Sequence, residues 1–289
     1  MASSTGAVLL QGGTGKVASR IAPLLQAANI PTLVASRSGK SPTGLPGVKF
    51  DWTDESTWEP VFANSPTPIK AVFLVAPLVS HPGALMKKFI DFAVARGAKR
   101  FVILGASSIE EGGTWMGAAQ KYLREQGDQG KLEWAALRPT WFQQNFSEGA
   151  HGVLLKSESK LFSATGNGKI PFVNAEDIAA VGFHALTSPQ PPNRDYVILG
   201  SELLSYPDVA TIFSDVLKRP IEYVELSESD LVARFTQFIE PEYARTLAAM
   251  DTDIKNGAEN RTNDVVRTVT GKEPKKFRDF VEENKAVWL

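Results

Sequence analysis

The chain has 289 residues, 43% of them hydrophobic, with 31 Lys and Arg against 32 Asp and Glu. That length suits a full α/β domain and a smaller lobe, and the near-neutral balance speaks against a nucleic-acid partner or an anionic membrane surface. Cysteine is absent, which excludes disulfides, thiolate catalysis and cysteine metal sites; His81, His151 and His184 lack metal-ligand spacing, so no metal centre is expected.

The first apolar run, Ala7–Leu10, feeds the turn Gln11-Gly12-Gly13-Thr14-Gly15-Lys16. Val17, Ile21, Leu24, Leu25 and Ala28 then recur at helical spacing, with Pro23 as an interior blemish. A buried-type strand, a glycine turn (Gly12-x-x-Gly15-x-x-Ala18) and a helix start form a cradle for the pyrophosphate of a dinucleotide. A P-loop would need glycine at Leu10 and a hydroxyl at Val17, so that rival fails. The second run, Thr32–Ala35, ends in Ser36-Arg37-Ser38. An NAD site places an acid here for the ribose 2′-OH, whereas an arginine between serines suits a 2′-phosphate. Lys16 adds a second cation. The predicted cofactor is NADP(H), held by Gly12, Thr14, Gly15, Lys16 and Val17 at the pyrophosphate and by Ser36, Arg37 and Ser38 at the ribose.

Further strand signals follow at Val48–Phe50, Ala71–Ala76, Arg100–Leu104 and Trp134–Leu137, with helical patterns between them, clearest at Leu85–Arg96. Alternation of this kind predicts an α/β fold, a Rossmann-type doubly wound parallel sheet. Ligands then sit beyond the carboxyl ends of the strands. Asp51 and Trp52 are expected beside the adenine and Ala76 and Pro77 along the nicotinamide, with Ala106 and Pro139 at the ends of later strands. After about Pro139 the pattern changes. Ile170–Val173 and Tyr196–Leu199 read as strands that return to the sheet or form a small second one. Ser205 with Asp208, and Ser227 with Asp230, read as box-like helix caps, and Pro241 opens a helix that ends near Gly257. The predicted division is a dinucleotide-binding domain over 1–150 and a helix-rich substrate lobe over 151–289, partly interleaved with the first and capping the crevice. No apolar run reaches spanning length, and the N-terminal residues enter the first strand without a basic leader, so a cytoplasmic protein with no membrane partner is expected.

The segment Leu137-Arg138-Pro139-Thr140-Trp141-Phe142-Gln143-Gln144-Asn145-Phe146 resembles the NmrA-like branch of the atypical short-chain dehydrogenase/reductases. Gly12-Gly13-Thr14-Gly15, Phe50-Asp51-Trp52, Lys99–Leu104, Ser163–Phe172 and Ala175–Ala179 agree with it. Within that branch the chain is most similar to the fungal ergot-alkaloid reductases, the festuclavine and agroclavine dehydrogenases, and the likeness reaches Leu203–Tyr206 and Ala249-Met250-Asp251. The resemblance implies NADPH-dependent reduction of a cyclic iminium in an indole alkaloid, with that small molecule as the partner.

Ordinary short-chain dehydrogenases protonate oxygen with Tyr-x-x-x-Lys, but here Tyr122 is followed by Gln126, and Lys121 points to another side of the helix. An iminium needs no such acid, because hydride delivery gives a neutral amine directly. Aromatic faces suit the cation. Trp141, Phe142 and Phe146, with Trp115 and Met116, are candidates for the wall of an indole-sized pocket; Trp141 reads as pocket and Phe142 as core. Ser107 stands at the place of the short-chain catalytic serine, and Asn145 is a polar group among aromatics that suits substrate orientation. His184, in an apolar helical run, reads as a packing residue, and Glu110 and Glu111 as a solvated loop. Between Gly112 and Lys121 the chain keeps the relatives' Gly-Gly and Met-Gly frame but differs elsewhere, and Trp115 adds bulk there. A larger prenylated indole alkaloid is therefore a candidate substrate. Two alternatives stand beside reduction: a redox-coupled [4+2] cyclase and a non-catalytic NADP(H)-sensing regulator.

Overall fold

The computed structural model describes residues 6–79 and 81–289. Nine strands are present among them: β1 (Ala7–Leu10), β2 (Thr32–Ser36), β3 (Gly47–Lys49), β4 (Ile69–Val75), β5 (Arg100–Leu104), β6 (Glu133–Pro139), β7 (Lys160–Ser163), β8 (Arg194–Ile198) and β9 (Glu222–Glu225). Seven form one sheet in the order β3-β2-β1-β4-β5-β6-β8, and all its ladders are parallel. This is the Rossmann-type doubly wound sheet that the alternating runs predict. Its inner strands β2, β1, β4, β5 and β6 are largely apolar because helices cover both faces, while the edge strands β3 and β8 are part-exposed.

The helices begin with α1 (Ala18–Ala27), α2 (Trp58–Ala63), α3 (Pro82–Ala95), α4 (Gly117–Asp128), α5 (Ala150–Glu158) and α6 (Ala175–Thr187). They continue with α7 (Tyr206–Leu217), α8 (Glu228–Phe235), α9 (Pro241–Lys255), α10 (Val265–Thr270) and α11 (Phe277–Glu283). Trp58 and Val61 of α2, Phe89 and Ile90 of α3 and Leu123 of α4 pack with Leu9, Val72, Leu74, Phe101 and Ile103 on one face of the sheet. On α6, Gly182 lies so near α1 that a Cβ there would stand 3.0 Å from Ile21 Cδ1, a close approach that favours glycine on the buried face of the helix.

Two compact units are present. The first holds the described residues up to Pro139 together with Ala175–Ile198 and Thr268–Gly271; the second holds Thr140–Asn174, Leu199–Arg267 and Lys272–Leu289. Strand β8 returns to the main sheet beside β6, as one reading of Tyr196–Leu199 has it. The second unit carries a two-stranded parallel sheet, β7 with β9, which the sequence reading did not identify. Ile170–Val173 is not a strand. Pro171 cannot donate to a ladder, and only isolated bridges form, Ile170 to Leu204 and Val173 to Phe142. The helix caps are as read, with one difference. Ser205 and Asp208 form a full capping box, whereas Ser227 caps the Asp230 N–H without the return bond to its own backbone. Among the described residues no helix is long and apolar enough to cross a membrane.

Candidate functional site

Parallel strands end on one edge. That edge gathers Gly12–Lys16 after β1, Ser36–Ser38 after β2, Asp51 and Trp52 after β3, Ala76 and Pro77 after β4, Ala106 and Ser107 after β5, and Pro139 closing β6. The glycine turn is built tightly. Gly12 has φ +62°, in the left-handed region, and the Gly15 N–H donates to its carbonyl at 2.7 Å. Gly13 lies against β2, where a Cβ would come within 2.1 Å of Val34 Cγ1. Thr14 and Gly15 are exposed, while Val17 and Ala18 anchor the start of α1 in the core. Small residues, an open backbone and a helix start fit a pyrophosphate.

Arg37 is exposed, and no hydrogen bond or ion pair occupies its guanidinium among the described residues. Its charge reaches Asp51, whose carboxyl is held below the usual range first by hydrogen bonds from the Thr53 backbone and hydroxyl, then by Arg37 and Lys49. The serines beside Arg37 shape its turn: the Ser36 hydroxyl donates to Lys40 O at 2.8 Å, and Ser38 Oγ accepts from Lys40 N–H at 3.3 Å. Trp52 donates from Nε1 to Val75 O at 3.1 Å and packs edge-on against Phe50 and Phe89, so one indole joins the ends of β3 and β4. The loop after β5 is tied to β6, with Ser107 N–H donating to Pro139 O at 2.9 Å. Trp115 is half-buried with φ +57°, a strained value for a bulky residue.

Tyr122, the lone half of the missing dyad, donates its hydroxyl to Asp91 on α3. Burial and that carboxylate push its phenol up to about 12. Lys121 pairs with Glu125 on its own helix, and Glu111 is held by Arg124 at 2.7 Å.

In the second unit Trp141 is half-buried and packs on the aromatic core. Asn145 is half-buried in the short helical turn Gln143–Asn145. An amide chain secures this segment: Gln144 donates to Asn174 at 3.0 Å, Asn174 to Gln143 at 2.9 Å, and Gln143 to Lys275 O at 3.0 Å. Phe146 is no pocket wall. It is fully enclosed by His151, Phe172, Tyr206, Phe213 and Phe277, because its turn faces the core of the unit. His184 is not a packing residue either. It is exposed in the last turn of α6, with its ring edge-on to Phe183. His151 is half-buried and stacked on Phe146, and desolvation of its ring pulls its imidazole down to about 4.

Three features of the strand edge escape sequence reasoning. Gln11 is fully buried with both amide atoms unpartnered among the described residues, and Gln120 Nε2 is likewise unpartnered above Gly105. Arg138 turns to three carbonyls of the loop after β5. The only signal in the sequence is a polar residue adjoining an apolar run.

Residues 12–189 match the family model described as NAD(P)H-binding. Agroclavine dehydrogenase from Claviceps fusiformis is 42% identical over 288 residues, covering 98% of both chains. Festuclavine dehydrogenase from Aspergillus fumigatus is 42% identical over 292 residues, covering 98% of this chain and 99% of that protein. The chain belongs to the NAD(P)H-binding family, in the branch of the agroclavine and festuclavine dehydrogenases. Among solved structures, the Citrobacter triphenylmethane reductase complexed with NADP(H) superposes with a TM-score of 0.76 at 17% identity, covering 96% of this chain and 99% of that one. The expected likeness to the agroclavine and festuclavine dehydrogenases is borne out.

Proposed function

We propose that the chain is an NADPH-dependent oxidoreductase that reduces an iminium C=N bond in an indole alkaloid. The relatives named for agroclavine and festuclavine support the substrate class. The observation that carries the chemistry is Tyr122: its hydroxyl is bound to Asp91 and Gln126 stands where the partner lysine would be, so the usual Tyr-Lys pair is not assembled, and the proposed reduction needs none. NADPH, when bound, supplies the hydride. The Gly12–Val17 turn holds its pyrophosphate, and Arg37 holds the 2′-phosphate that selects it over NADH. Asp51 and Trp52 border the adenine, and Ala76, Pro77, Ala106 and Pro139 the nicotinamide. Ser107 offers a hydroxyl to the substrate or the nicotinamide amide. Trp115 in the first unit, and Trp141 with Asn145 in the second, are the candidate substrate residues of their own units; an aromatic face contributes about 0.5–2 kcal/mol toward a cation.

Matched cyclic substrates test this reading. With NADPH the protein is expected to reduce the iminium and leave the corresponding ketone untouched, followed by loss of NADPH absorbance and product mass. Ketone reduction with no turnover of the iminium contradicts it.

A further inference from the structure

Arg138 belongs to the Leu-Arg-Pro-Thr-Trp segment, yet the proposed chemistry gives it no part. Its position follows from the ladder. β6 and β8 pair with Ala136 opposite Asp195, so Arg138, two residues on, shares that face of the sheet. Nη1 lies 3.6 Å from Asp195 Oδ2, and the side chain is 19% exposed. The remaining donors turn to the loop after β5. Nη2 meets Ile109 O at 2.9 Å and Ser107 O at 3.3 Å, and Nε meets Ala106 O at 3.5 Å. The loop is tied to β6 from its backbone too, Gly105 N–H to Leu137 O at 2.7 Å and Ser107 N–H to Pro139 O at 2.9 Å.

Three carbonyls from one short loop converge on a single fork. Fixing those peptide planes fixes the direction of the Ser107 side chain between them. A lysine has a compact point charge in place of the fork and cannot span the same three acceptors with Asp195 behind it. Arg124 Nη2 shares Asp195 at 3.3 Å, so the carboxylate that orients the fork is itself held from α4.

We infer that Arg138 is a positioning residue for the reduction: it holds the Ala106–Ile109 loop so that the Ser107 hydroxyl stays aimed at the reacting partners, and Asp195 orients its guanidinium. This rests on the part given to Ser107 above.

The test crosses Arg138→Met and Arg138→Lys with Ser107→Ala in the full chain. Arg138→Met is expected to lower kcat roughly ten- to hundredfold while the KM for NADPH moves less than about threefold. Arg138→Lys should fall between. In the Ser107→Ala background, Arg138→Met should change kcat by less than about threefold, because residues that act as a unit are not additive. Backbone amide exchange at 108–110 should rise at least about tenfold in Arg138→Met and stay unchanged in β1–β4. Should Arg138→Met not fold, Asp195→Asn carries the same cycle with a smaller loss. Equal loss of kcat with and without the Ser107 hydroxyl, full turnover by Ser107→Ala, or unaltered loop exchange overturns the inference. A wild-type chain that reduces no iminium overturns the functional reading instead, and the loop exchange then still decides whether Arg138 holds Ala106–Ile109.

Discussion

Under the proposed function, Arg37 and Gly13 serve cofactor binding in different ways. A charge-assisted hydrogen bond contributes about 1.5–3 kcal/mol, so Arg37→Asp should weaken NADPH binding roughly 10- to 100-fold and NADH binding less than about threefold in fluorescence titrations. Equal losses for both remove Arg37 from the 2′-phosphate. Gly13→Ala drives a methyl into Val34, and should abolish binding of either dinucleotide and cost about 1–3 kcal/mol in urea unfolding. Tyr122→Phe should leave iminium turnover within about twofold and cost only the bond to Asp91, about 0.5–1.5 kcal/mol. Trp141→Ala should raise the substrate KM several-fold, roughly the worth of one cation–π face, with NADPH binding intact. Gly12, Gly15 and Arg37 were legible in the sequence because a turn's backbone needs and an exposed cation are local properties. The left-handed Trp115, the orphaned Gln11 and the three carbonyls at Arg138 were not, because each arises from contacts with distant parts of the chain.

At the scale of elements, β1 to β6 and β8 were legible because a parallel sheet covered on both faces writes itself as apolar runs. The sheet of β7 and β9 was not. Its strands are four residues each, Lys160–Ser163 and Glu222–Glu225, and the charged ends of Glu-Tyr-Val-Glu hide its pattern. Ile170–Val173 misled in the other direction, since its apolar residues serve buried loop contacts around Pro171. One side chain joins several elements of the first unit. Arg100, 9% exposed on β5, pairs with Glu133 of β6 at 2.6 Å and donates to Leu186 O at 3.3 Å and Ser188 O at 2.6 Å past the end of α6. It satisfies carbonyls the helix leaves open and adds positive charge at the negative end of the dipole. Arg100→Met should therefore cost about 3 kcal/mol in urea unfolding. A loss below about 1 kcal/mol would show that the linkage is no stronger than a surface pair.

For the molecule as a whole, two groups of the second unit, buried Asp251 and half-buried His151, contribute to the pH dependence of stability with opposite signs. Burial pushes Asp251 up from 3.8 to about 6, against the bond it accepts from Ala164 N–H. Its contribution is therefore fully present at low pH and is lost as pH rises through about 6. Burial, then the Arg234 charge, pulls His151 down from 6.5 to about 4, so its contribution is present above 6.5 and is lost as pH falls through about 4. Between those values the two offset each other. Asp251→Asn keeps the acceptor and removes one partner of the balance. It should raise unfolding free energy near neutral pH by up to about 3 kcal/mol and steepen the loss on acidification below about pH 6. Parallel pH profiles for variant and wild type contradict this. The reaction itself is tested most directly by the fate of the hydride: NADPH deuterated at C4, on one face or the other, is incubated with a cyclic iminium and the product analysed by mass spectrometry. The account predicts a single deuterium on the carbon bound to nitrogen, delivered from one face of the cofactor only. Unlabelled product from both C4 epimers, or label transferred from both, would contradict it.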